Sequence, residues 1–427
     1  MTQEEILALI KREVVPAIGC TEPICVALCV AYAKEALGEE PDYIHVSLSA
    51  NVLKNAMGVG IPGTGMVGLP IAIALGALIG KTKYKLEVLS DCTPDAVNRA
   101  KDLINRGCIH IELEKDACDN LYVDVICKKG NRCSEAIIAH EHTRLVYLYC
   151  DNNLMLDDRS ALKNSSFDEH SDKLSLREVY DFATQTPIEL LTFINEAKEL
   201  NENAAREALR GNYGHELGKT LTRPLGKGIM GDSIFSHIIS ETSCACDARM
   251  AGAMIPVMSN SGSGNQGIAA TLPVVVFARE NHNTEEELTR ALILSHLIAI
   301  YIKQSLGRLS ALCGCVVAST GSSCGITLLM GGQYDQISYS VKNMIANLAG
   351  MVCDGAKPSC ALKLSSGVST AVLSAMLSIQ NKYVSNVEGL IEDDVDRCIR
   401  NLTLVGAKGM QETDRMVLDI MTHKKNL

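Results

Sequence analysis

Ile6, Ile10 and Val14 recur one helical turn apart among charged neighbours, which predicts an amphipathic helix over residues 3–14. A second helix is expected from Glu22 to about Leu37, opened by Thr21 and Pro23 as cap and first-turn residues and carrying the apolar run ICVALCVAYA. From about residue 43 the period changes: YIHVSLSANV alternates like a strand, and LYVDVIC and RLVYLYC repeat that signature. Between them DAVNRAKDLINRG reads as a polar helix stopped by glycine, so residues 41–155 are expected to form a small α/β domain. DDRSALKNSSFDEHSDK, near 157–173, is charged, Ser-rich and aperiodic, and reads as a linker or surface loop. Beyond it the pattern is helical almost throughout. The expected fold class is α+β: a mainly helical domain over 174–427, a smaller α/β domain inserted near the N-terminus, and helices of residues 1–40 packed on the helical domain.

Three stretches, Ala56–Gly80, Met250–Ala278 and Leu309–Tyr334, contain no charged residue. A spanning helix needs about 20 mainly apolar residues, and these are broken by Pro62, Pro70, Pro256 and Pro273 and by Ser, Asn and Gly clusters. They are expected to be buried, small-residue backbone that a ligand can approach closely, with no membrane span.

Composition narrows the function classes. With 40 Lys plus Arg against 50 Asp plus Glu the net charge is -10, which argues against a nucleic-acid partner. The chain of 427 residues carries 17 cysteines, no Trp and 5 Phe. An odd number of thiols cannot all pair within the chain, and MTQEEILALIKREV lacks the order of a secretory signal, so a cytoplasmic location with reduced thiols is expected. Most cysteines should then be small buried hydrophobes, among them Cys25, Cys29, Cys108, Cys118, Cys127 and Cys150. No Cys-x2-Cys pair occurs, so the usual zinc-finger spacings are missing.

The remaining cysteines fall in richer surroundings. In MVCDGAKPSCALK the turn DGAKPS can return Cys360 to the end of the helix that stops at Cys353, and LCGC offers a third thiolate from Cys313 or Cys315. Three thiolates suit an iron-sulfur cluster or zinc, and an open position would act as a Lewis acid. PAIGCTEP puts Cys20 just before a helix N-terminus, where a thiol pKa is lowered, with Glu22 beside it as a first-turn carboxylate or base. Gly58, Gly60 and Gly63 spell G-x-G-x-x-G, but Pro62 lies inside it and no strand leads directly into it, so a dinucleotide is not expected. Thr64 and Gly65 in that loop, and Ser263, Asn265 and Gln266 in SNSGSGNQG, instead offer polar, charge-free loops ahead of apolar helices, suited to a small zwitterion. HEHTR gives His140 and His142 one face of a strand as a metal or proton-transfer pair, and Lys54 and Lys363 lie beside the two richest motifs.

Taken together, GCTEP, VLKNAMGVGIPGTG, GSGNQGIAATLPV, LCGC and MVCDGAKPSCALK resemble, in order and over nearly the whole chain, the iron-sulfur L-cysteine desulfidase family. That family is related through its C-terminal half to the alpha part of iron-sulfur L-serine dehydratases. The resemblance implies a 4Fe-4S cluster held by Cys313, Cys353 and Cys360, one iron open to substrate, in a helical catalytic domain. Cys315 leaves the first ligand open, and Cys20 is implied as a fourth ligand, an acid/base thiol or neither. The implied reaction is β-elimination of L-cysteine to pyruvate, ammonia and sulfide without pyridoxal phosphate. Thr64, Gly65, Ser263, Asn265 and Gln266 would hold the amino acid, and the base is open among Lys54, His142, Glu22 and Lys363. The chain lacks the dehydratases' Ser-Ser-Ser-His-Thr motif in its front part, which makes L-serine the second substrate. A pyridoxal-phosphate lyase and a noncatalytic cluster-binding redox sensor are the readings from other classes. The partner expected is a small amino acid, with neither nucleic acid nor membrane, and a homodimer is left open.

Overall fold

The computed structural model describes residues 1–114, 120–160, 174–307 and 309–423. Its helices are α1 (Gln3–Glu13), α2 (Thr21–Leu37), α3 (Ala50–Ala56), α4 (Leu69–Leu78), α5 (Pro94–Asn105), α6 (Leu176–Gln185), α7 (Asn195–Arg210), α8 (Leu217–Thr222), α9 (Pro224–Met230), α10 (Ile234–Met250), α11 (Gly264–Glu280), α12 (Glu285–Leu306), α13 (Gly314–Leu329), α14 (Tyr334–Leu348), α15 (Cys360–Ile379), α16 (Val395–Leu404) and α17 (Gln411–Thr422). The strands are β1 (Pro16–Ile18), β2 (Tyr43–Leu48), β3 (Ile109–Leu113), β4 (Tyr122–Lys129), β5 (Arg132–Ala139), β6 (Leu145–Cys150), β7 (Asn153–Asp157) and β8 (Pro256–Met258). The fold is α+β and mainly helical, as the patterning predicts. Cys118 and the 161–173 part of the expected linker lie outside the described residues.

The larger sheet runs β3-β2-β4-β5-β6-β7, with β2 and β3 parallel and every other pair antiparallel. On β4, alternation buries Val123, Val125 and Cys127 against α2. The second helix departs from expectation. It packs on the sheet, with α4 on its other side, whereas α1 joins the helical core. Its residues are apolar all round, so one covered face is not enough, and the sandwich between sheet and α4 satisfies both.

In the helical region α13 is the central element, touching α11, α12, α14 and α15. Its sequence GCVVASTGSSCGITLL is free of charge, and a Cβ at Gly321 would stand 2.2 Å from Ser295 O of α12, so glycine is what admits this approach. The helices of the three charge-free stretches, α4, α11 and α13, have 10, 17 and 16 residues and are mostly buried, while Gly63, Gly65 and Val67 ahead of α4 and Met254 ahead of α11 are exposed. Among the described residues one helix, α15, is long and apolar enough to cross a membrane by length and composition, and half of it is buried inside the protein.

Two small pairings position the site. β1 and β8 form an antiparallel ribbon, Pro16 opposite Met258 and Ile18 opposite Pro256, which brings the loop before α2 to the loop before α11. A bridge between Leu312 and Val352 joins the loops before α13 and α15. There Cys313 N donates to Met351 O at 2.9 Å and Cys353 N to Ala311 O at 2.7 Å, which sets the two cysteines side by side.

Candidate active site

Both pairings open onto one cleft of about 690 Å³, partly open to solvent, whose wall includes Cys20, Glu22, Arg249, Gln266, Cys313 and Cys353. Ser263, Asn265, Cys315, Cys360 and Lys363 also border it. Cys20, Ser263 and Cys313 are the N-caps of α2, α11 and α13, and Cys360 is the first residue of α15. Helix N-termini carry unpaired N–H groups and positive partial charge, so their meeting here favours a bound anion.

Cys353 and Cys313 lie side by side through the Leu312–Val352 bridge. The neighbouring Cys313 thiol pulls the Cys353 thiol below the ordinary range against the opposing effect of burial, and the Lys54 and Lys363 charges assist. Cys313 itself is raised by Cys353 and by burial. Cys360 is raised by burial, and its Sγ lies 3.6 Å from Gly355 O. Cys315 is turned away: its Sγ donates to Lys363 O at 3.1 Å between α13 and α15, and burial pushes it up to about 12. Of the two candidates for the first thiol, Cys313 is therefore the one paired with Cys353.

At the other side of the cleft Cys20 Sγ donates to Glu22 Oε2 at 2.9 Å, and Thr21 Oγ1 donates to Gly262 O at 2.6 Å. The expectation of a lowered Cys20 pKa is not met. Burial first, then the adjacent Glu22 carboxylate, raise it well above the thiol range and outweigh the helix end. Cys20 is a protonated thiol that donates to a carboxylate.

Asn265 Nδ2 reaches Met250 Sδ at 3.3 Å, and Cys246 Sγ, a thiol unremarked in the sequence, donates to Asn265 Oδ1 at 3.6 Å. Gln266 Oε1 is buried with no hydrogen-bond partner. The loop is braced from beneath by His296, whose ring nitrogens lie 3.0 Å from Asn260 Nδ2 and from Thr271 Oγ1. Burial holds His296 down to about 3, so its imidazole is neutral.

Four expected site residues do not line the cleft. Thr64 Oγ1 turns back on its own loop, accepting from Met66 N and donating to Ile61 O at 2.7 Å, and Gly65 follows it in that turn. Lys54 is 1% exposed and pairs with Asp414 of α17. His142 is not on a strand: HEHTR is the turn between β5 and β6, with His140 at φ 68° and Ala139 N donating to Arg144 O. Lys363 does border the cleft but is committed to Asp354 and to Val352 O, so neither favoured lysine offers the free amine that an aldimine needs. Sequence reasoning also missed Arg249. A lone Arg in the last turn of a helix ordinarily signals dipole pairing at an exposed end, and only the fold buries it.

The six-stranded sheet, the helical layer and the thiol-lined cleft belong to a chain whose sequence matches a family of lyase-type enzymes. The match to the serine dehydratase alpha chain family spans residues 83–419, and the chain belongs to that family, one of iron-sulfur enzymes. It is 64% identical to the UPF0597 protein of Phocaeicola vulgatus over 424 residues, 99% of this chain and 98% of that protein. The UPF0597 protein of Porphyromonas gingivalis is 50% identical over 429 residues, covering 99% of each. The UPF0597 protein of Aeromonas salmonicida is 44% identical over 423 residues, 99% of this chain and 96% of that protein.

Proposed function

We propose that the protein eliminates sulfide from L-cysteine, giving pyruvate and ammonia, with a 4Fe-4S cluster held by Cys313, Cys353 and Cys360. The observation that carries this reading is the placement of those thiols on one cleft that also holds the Cys20–Glu22 pair. The residues fit such a group. Cys313, Cys353 and Cys360 all border one cavity, and thiolates are the donors an iron-sulfur cluster takes, although among the described residues no three His, Cys, Asp or Glu side chains converge on one point. When bound, the cluster supplies a Lewis-acidic iron that makes the substrate's β-heteroatom a better leaving group.

The chain's own residues do the rest. Lys54 and Lys363 bring positive charge to Cys353 and favour its thiolate. Glu22 is the carboxylate in the cleft whose partners are the Cys20 thiol and the Thr21 hydroxyl, which suits it to take the α-proton while Cys20 supplies one. Buried Leu309, Leu312 and Leu364 give part of the cleft an apolar wall. The balance is L-cysteine plus water to pyruvate, ammonia and hydrogen sulfide. The five-motif resemblance and the missing Ser-Ser-Ser-His-Thr motif support L-cysteine, while the family match supports a second reading, dehydration of L-serine.

Anaerobic purification tests both. Brown protein with about four irons per chain that releases matched sulfide and pyruvate from L-cysteine is the expected result. Pyruvate from L-serine with none from L-cysteine would select the second reading, and iron-free protein inactive on both would sink the two together.

A further inference from the structure

Arg249 is 3% exposed, yet it borders the cleft. Its Nε donates to Gly19 O at 3.1 Å, and among the described residues no carboxylate lies within salt-bridge distance of it. The position is built. A Cβ at Gly264 would stand 2.3 Å from Arg249 Nε, so the side chain lies across a glycine at the start of α11, and the β1–β8 ribbon presses Gly19 onto it from the other side. A guanidinium stays charged at any working pH, and burying it without a salt-bridge partner leaves its lost hydration only partly replaced. Beside it in the same wall Gln266, 4% exposed, presents Oε1 with no donor. A buried acceptor of this kind is as anomalous as the unmatched cation.

We propose that Arg249 receives the α-carboxylate of the substrate as a forked ion pair and that Gln266 Oε1 accepts from its α-ammonium, so that the cleft selects free α-amino acids. A buried cation without a salt-bridge partner and an orphaned acceptor together match a zwitterion, and neither a simple carboxylic acid nor a simple amine meets both. The proposal rests on the reading of the cleft as a small amino acid site. It adds a positioning residue for the substrate, independent of which β-substituent leaves.

The test uses anaerobically purified, iron-loaded protein and three probes that have no leaving group: L-alanine, propionate, which lacks the amine, and ethylamine, which lacks the carboxylate. Binding is read from the rise in unfolding temperature with ligand concentration. L-Alanine is expected to bind most tightly of the three. Arg249→Gln should weaken L-alanine and propionate roughly 100-fold and leave ethylamine unchanged, and Arg249→Lys should recover part of the loss. Gln266→Leu should weaken L-alanine and ethylamine and spare propionate. Iron content and the ethylamine response show that the Arg249 variants are folded. The proposal is overturned if the wild type fails to prefer L-alanine, or if Arg249→Gln and Arg249→Lys both keep full L-alanine affinity. Its failure is separable from that of the lyase reading: protein that binds L-alanine through Arg249 but turns over neither L-cysteine nor L-serine keeps this proposal and loses the other.

Discussion

The sheet core and the cleft both bury thiols, and they treat them in opposite ways. Cys25, Cys29 and Cys127, all fully buried, lie between α2 and the sheet. Burial raises each, Cys127 to about 12, and no lysine or arginine charge opposes it. In the cleft Cys353 is partly buried, and a neighbouring thiol and two lysines hold it below the ordinary range against the effect of burial. Burial alone therefore makes a cysteine inert. A metal-ready or proton-handling thiol needs charge, a helix end or a hydrogen-bond donor brought in by distant chain segments.

The largest difference between the regions should be read from iron. Cys353→Ala and Cys360→Ala are each expected to lose the cluster and to reduce turnover beyond the roughly 10–100-fold lost when a residue that only hydrogen-bonds a ligand is changed. Full iron and full turnover in Cys360→Ala would refute the ligand assignment. Next comes Cys20→Ser, expected to keep its iron while turnover falls about 10²-fold or more, because a donor to Glu22 is kept but a thiol acid is lost. Loss of iron in that variant would make Cys20 a ligand instead.

A third substitution acts on the cleft from outside it. Asp414→Asn leaves Lys54 charged in the core without its counter-ion and should cost about 3 kcal/mol in urea unfolding. Lys54→Met removes the cation that favours the Cys353 thiolate. In iron-free protein, alkylation of Cys353 should then begin at higher pH than in the wild type, while alkylation of Cys25 stays undetectable in both. The sign follows from the direction of the shift: a lowered thiol is ionised below the ordinary thiol pH, so removing the lowering cation moves its titration upward. An unchanged alkylation profile would remove Lys54 from the account of Cys353.

Much of this division was legible in the chain. GCTEP and SNSGSGNQG mark loops ahead of helices, and local rules suffice to see Cys20 and Ser263 at helix starts, whereas the N-cap position of Cys313 came only from the fold. What was not legible depends on partners far away. Lys54 is next to a glycine-rich loop in sequence, but its counter-ion is 360 residues on, which turns it away from the cleft wall. Thr64 looked free for a ligand and is used up within three residues, a competition that composition does not reveal. His142 was misplaced because a run that alternates does not show where a hairpin turns. Arg249 owes its position to Gly19, 230 residues earlier, and to Gly264, and no window around ACDARM contains either.

The smallest expected effect closes the contrast from the inert side. Cys29→Ala removes one sulfur atom from a fully buried site and with it a weak hydrogen bond to Ala136 O at 3.1 Å. Deleting a single heavy atom of this size from a packed core costs about 1 kcal/mol, and the carbonyl it leaves is already in the sheet ladder between β4, β5 and β6, so little polar penalty is added. Iron content and the affinity for L-alanine should be unchanged, because α2 reaches the cleft only through its first turn, two helical turns before Cys29. Urea unfolding and iron analysis of the same sample decide the matter: a variant that loses iron while losing only about 1 kcal/mol would mean that the sheet core transmits its packing to the cleft, and the separation of the two thiol environments would fail.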